Sequence, residues 1–209
     1  MHDRRINDET YVFGNHGALW RNAMTWYDHA TGSVWSQPWG RALEGDLQGT
    51  QLQLLPFSLV PWATWLEEHP DTLALATAGN FYSTQSSSDN FVIGIAIAQD
   101  AISYPYDIAS DAIIINDMLG DIPILVHVNP VNRSIHVFVR QISDGTVLTF
   151  TGDEETMIDD QTGSIWDPTR GLATDGDLQS ESIREIPYVS SFRNSWLVFY
   201  PNSETYAGE

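Results

Sequence analysis

The sequence predicts a mainly β protein made of two related units of small, twisted antiparallel sheets or partial barrels, each with one short helix. Three observations support this. Apolar runs of strand length alternate with closely spaced turn signals. A segment of about fifty positions occurs twice without a gap. Apolar residues at helical spacing follow the shared segment, and a proline closes each stretch.

The repeat organises the chain. Tyr27 opens the run YDHATGSVW and Ile158 opens IDDQTGSIW, an offset of 131 residues. Asp28, Thr31, Gly32, Ser33 and Trp35 recur as Asp159, Thr162, Gly163, Ser164 and Trp166. Gly45-Asp46-Leu47-Gln48 recurs as Gly176-Asp177-Leu178-Gln179, and Trp65-Leu66 as Trp196-Leu197. Asp-x-x-Thr-Gly-Ser is turn chemistry. The carboxylate accepts hydrogen bonds from amides a few residues on, and glycine takes up positive φ. The following tryptophan can then enter the core from the next strand. The Gly-Asp pairs mark a second turn, with strands expected at 51–55 and 182–186.

A short helix follows in each copy. Pro61 suits a first helical position and Ser191 an N-cap. Trp62, Trp65, Leu66 and His69 share one helix face and read as core packing. Pro70 and Pro201 stop the helices. Between the copies, residues 91–98, 122–128 and 135–140 read as strands. The last alternates apolar and polar positions, as a half-buried strand does. Another strand is expected at Val147–Phe150, after the Asp144-Gly145 hairpin turn. The serine-rich tract Ser83–Asp89 reads as an exposed connection. Thr10-Tyr11-Val12-Phe13 matches Val147-Leu148-Thr149-Phe150 in position, which places the start of the chain near the equivalent of residue 142. Residues 1–80 then hold the back half of a first unit and residues 81–209 a complete second unit, packed as one globular body.

Composition narrows the functional classes. The chain has 209 residues, nine basic and 28 acidic side chains, and a formal net charge of −19. Every basic residue is arginine, and lysine and cysteine are absent. Apolar content of 42% suffices for a packed core. The acidic balance argues against nucleic acid and anionic membranes as partners. The lack of cysteine removes disulfides, thiolate metal sites and thiol nucleophiles. No apolar run is long enough for a spanning helix, and Met1 to Thr10 lack the apolar centre of a secretion signal.

The run from Tyr27 to Pro56, then PWATWLEEHPDTLAL, resembles the domain of unknown function 3179 family. FVIGIAIAQDAISYPYDI and IINDMLGDIPILVHV resemble that family's segments too, so the likeness extends from Tyr11 to Tyr206. Two departures stand out. A Cys-Pro-Leu-Cys-Gly-Thr run of the family aligns with Asn129-Pro130-Val131-Asn132-Arg133-Ser134, and its Trp-His-Glu aligns with Asp111-Ala112-Ile113. The resemblance implies an extracytoplasmic or cell-surface location and brings no reaction with it.

Candidate chemistry is sparse. His127 and His136 fall on neighbouring expected strands and could approach each other as ligands. Asp153, Glu155, Asp159 and Asp160 cluster before the second turn, and calcium is the cation they would suit, although their spacing is not that of an EF-hand. No other cofactor is expected. Trp39 could stack on a sugar. Paired carboxylates for glycoside hydrolysis are disfavoured, because Asp28 and Asp159 are equivalent by duplication and share one structural job. These readings favour a non-catalytic binding or assembly module that associates through exposed sheet edges. Its expected partner is another copy, in a dimer or filament, or an upstream fragment of the same gene product. The rival is a carbohydrate-active or metal-dependent enzyme with an Asp/Trp-lined cleft. A degenerate structural paralogue is the third reading.

Overall fold

The computed structural model describes residues 1–57, 60, 62–74 and 90–208. Strands account for 44% and helices for 11%, so the chain is mainly β, in several small sheets, with no closed barrel among the described residues. β1 (Arg5–Ile6) and β2 (Glu9–Thr10) form a short ribbon. β3 (Phe13–Trp20), β4 (Ala23–Asp28), β5 (Val34–Ser36) and β6 (Arg41–Glu44) follow as an antiparallel meander. α1 (Trp62–Glu68) comes next, then the hairpin of β7 (Phe91–Ile97) and β8 (Asp100–Pro105). After α2 (Tyr106–Ala112), β9 (Ile114–Leu119), β10 (Ile122–Val128) and β11 (Ile135–Val139) form a second meander. β12 (Phe150–Gly152), β13 (Met157–Asp159), β14 (Ile165–Asp167) and β15 (Leu172–Asp175) repeat the β3–β6 arrangement. β16 (Arg184–Glu185) pairs with β11, and β17 (Val189–Phe192) pairs with β7. α3 (Arg193–Phe199) follows, and β18 (Glu204–Thr205) runs parallel to β8.

Contacts gather the chain into two units that interleave along the sequence. One contains residues 1–57, 91–105 and 186–207, and the other 58–90, 106–185 and 208–209. In the first, Trp35 centres a cluster with Ile6, Ala42 and Leu52, flanked by Phe13, Trp26 and Leu47. In the second, Trp166 sits with Leu125, Phe138, Ile142, Phe150, Met157, Ala173 and Ile183. Burying such aromatic side chains is the main stabilising term of each unit.

Several expectations change. The second copy carries an additional helix, α2, where Pro105 ends β8 and Asp107 favours a helix first turn. β11 is buried at every position instead of on one face, because it lies between β10 and β16 with both faces covered. Ser191 belongs to β17, and Phe192 occupies the N-cap of α3 without a side-chain cap. Pro61 and the tract Ser83–Asp89 lie outside the described residues.

Candidate functional site

The duplicated motif builds the same hydrogen-bonded turn twice. Asp28 is fully buried at the end of β4. Its carboxylate accepts from the Thr31 amide at 2.6 Å, the Thr31 hydroxyl at 2.9 Å and the Trp35 indole at 3.0 Å. Asp159 accepts from the Thr162 amide at 2.6 Å, the Thr162 hydroxyl at 2.9 Å and the Trp166 indole at 3.0 Å. Ser33 and Ser164 reach across to the next turn, accepting from the amides of Leu47 and Leu178 at 3.1 and 3.0 Å. Gly45 and Gly176 both sit at φ +93°, and a Cβ on either would strike that serine. Phe13 meets the edge of Trp35, and Phe150 that of Trp166, each pair 5.4 Å apart.

The electrostatics follow from this geometry. Burial pushes both aspartates upward, but the indole, amide and hydroxyl donors outweigh it, so both are held below the ordinary carboxylate value. Their oxygens are taken up by local donors. Neither tryptophan lines a cleft, since both are buried.

His127 and His136 face each other across β10 and β11 in direct register, with ring centroids 6.4 Å apart. Both are buried. Desolvation lowers the pKa of each, that of His136 to about 4 with help from the neighbouring ring of His127. His127 Nε2 lies 3.3 Å from the Asp153 carbonyl. The asparagines at the aligned cysteine positions shape the turn beyond β10. Asn129 accepts from the amides of Val131 and Asn132 and donates to the Glu154 carbonyl, while Asn132 accepts from the Ser134 amide.

The acidic cluster is divided among separate tasks. Asp153 caps a turn by accepting from the amides of Glu155 and Thr156, and Asp159 belongs to the motif. Among the described residues, no group of three or more His, Asp or Glu converges to hold a metal ion. Trp39 is half-buried, packed against Trp20 and Phe199 at 5.5 and 5.2 Å.

The repeated helices share internal geometry but differ in their surroundings. In α1 the Trp65 indole donates to Thr72 at 3.0 Å and its ring meets that of His69 at 4.0 Å, tilted by 41°. In α3 the Trp196 indole donates to Ser203 at 2.7 Å and stacks on Tyr200 at 4.2 Å. Trp196 is 2% exposed and lies over Gly94 of β7, where any Cβ would collide with its ring. Trp62, Trp65 and Leu66 are 51%, 39% and 38% exposed. The expected packing of the α1 stripe is therefore overturned.

A cavity of about 810 Å³ opens in the first of the two units. It is lined by His2, Arg4, Phe13, Trp26 and Leu54 on one side and by Phe91, Tyr188 and Phe192 among the others. Burial and the adjacent α-ammonium lower the pKa of His2 to about 4. Sequence reasoning missed this site. Its only sequence signal was the dipeptide Asp3-Arg4 in the place of Val139-Arg140, too short to read without strand register.

The family model for a protein of unknown function, DUF3179, matches residues 1–84 and again residues 79–206. The chain belongs to the DUF3179 family. It is a divergent DUF3179 member with two units. No curated protein and no solved structure matches it. Among the described residues, no helix of this DUF3179 chain is long and apolar enough to cross a membrane.

Proposed function

We propose that this chain is a non-catalytic binding or assembly module, acting outside the cytoplasm, that engages polypeptide through surfaces its first repeat leaves uncovered. The observation that carries the reading is the contrast between Trp196, seated on β7, and Trp65, its exposed equivalent. Trp62 and Trp65 of α1 are 51% and 39% exposed, where the equivalent Trp196 is 2% exposed. Such a face is a docking surface by its chemistry. The aspartates shared by both repeats support a non-catalytic role, since their oxygens are committed to turn donors.

Light scattering across protein concentration and salt tests this reading. Salt matters because a charge of −19 keeps copies apart. The expected result is concentration-dependent association at about 0.5 M salt, lost in the Trp62→Ser/Trp65→Ser variant. A monomer under every condition, combined with no uptake of added peptide, would remove the proposal.

A further inference from the structure

Going beyond the docking face of α1, we propose that the cavity of about 810 Å³ in the first unit is a binding site for a small multi-ring aromatic carboxylate. Its size suits that occupant. Pockets that hold drug-sized molecules span roughly 300–1,000 Å³, and apolar and aromatic side chains line most of their surface, with a few polar groups among them.

The walls supply the aromatic half of the argument. Three ring pairs line the cavity. Phe91 and Phe192 are register partners of β7 and β17, with ring centroids 4.6 Å apart. Tyr188, just before β17, stacks on Phe57 at 4.7 Å. Phe13 of β3 and Trp26 of β4 meet at 6.1 Å on the flank of the Trp35 cluster. Phe13, Trp26, Phe57 and Phe91 are each only half-buried, so ring surface remains for a guest to cover. All these residues belong to one unit. A planar aromatic guest meets such walls by offset stacking and edge-to-face contact, which a saturated chain does not offer.

The charge of the wall supplies the other half. The chain carries 28 acidic side chains, yet none of the described residues lining the cavity is acidic. Among those residues Arg4 is the only charged side chain. His2 meets Trp26 edge-on at 5.8 Å, and burial keeps its ring neutral at pH 7. Gln37 and Ser190 also line the cavity and add neutral hydrogen-bonding groups. In a molecule of net charge −19, a wall that bears an arginine and no carboxylate repels an organic anion less than the acidic surface at large. Arginine also matches a carboxylate with two parallel N–H donors.

The probe is pyrenebutyrate, added to the full chain in about 0.15 M salt and followed by fluorescence anisotropy. At the affinity per atom typical of drug-sized ligands, the expected Kd is about 10 μM. Pyrenebutanol, which lacks the charge, should bind about fivefold more weakly, and the cation pyrenemethylamine more weakly still. Arg4→Gln should abolish the preference for the acid over the alcohol. Phe192→Ala should weaken all three ligands several-fold. Both residues are exposed, so neither change threatens the fold. Trp62→Ser/Trp65→Ser should leave the binding unchanged, which separates this site from the face of α1. Absence of saturable binding or a preference for the amine would overturn the inference. So would binding that survives Phe192→Ala but is lost in the α1 variant. The association measured by light scattering is a separate result, so the assembly reading and this site stand or fall independently.

Discussion

At the residue scale, the chain spends its charged and aromatic side chains on backbone geometry. Each motif aspartate gathers an amide, a hydroxyl and an indole, which fixes a hairpin end and aims a tryptophan inward. Leaving such donors buried and unpaired costs about 1–3 kcal/mol apiece, which is why the whole set recurs together. The histidines follow the opposite logic. His127 and His136 are buried, so the folded state resists their protonation, while the unfolded chain titrates near 6.5. Below pH 6.5 the unfolded state therefore binds more protons, and stability falls as pH falls, for His136 down to about pH 4. For His136 the shift to about 4 is worth on the order of 3 kcal/mol when complete. Thermal melts should show a drop in Tm from pH 7 to pH 5, reduced in the His127→Phe/His136→Phe variant. An unchanged melt over that range would show that the rings protonate without cost. The motif aspartates act lower. Their stabilisation is present above pH 3.8 and is lost only as pH falls below it.

At the element scale, two helices of one ancestry differ through their neighbours. Both hold a tryptophan by the same indole-to-hydroxyl bond and by a close ring contact with the residue four positions on. α3 lies on β7, where Gly94 makes room for the ring. Trp196→Ala should therefore cost about 3–5 kcal/mol in urea unfolding, as truncation of a large core aromatic does. Trp65→Ala should cost less than about 1 kcal/mol, the range of exposed substitutions. Equal losses for the two would mean that α1 is buried in solution. Periodicity alone could not distinguish them, because it reports a face and not what covers that face.

At the scale of the whole molecule, acidic charge dominates. Nine arginines against 28 carboxylates leave −19 on 209 residues. Self-repulsion of this kind destabilises the compact state and keeps copies apart. Raising the ionic strength from about 0.01 M to about 0.15 M shortens the screening length from roughly 30 to 8 Å. Tm should rise over that interval. A fall would mean that favourable ion pairs outweigh repulsion. Few exist among the described residues. Asp3 pairs with Arg5 at 2.5 Å, and the Arg170–Asp167 contact is long at 3.8 Å.

The duplication, the turns and the β-rich class are legible in the order of the residues. These depend on short-range chemistry: an aspartate caps amides three residues away, glycine takes positive φ, and β-strand patterns repeat over a few residues. Asp28 and Asp159 could be placed from spacing alone for that reason. The tertiary structure alone decided what each face touches. The exposed stripe on α1, the full burial of β11 and the cavity beside His2 all depend on which segments distant in sequence pack together. Burial and strand pairing are long-range properties, and the same local residues are core in one copy and surface in the other.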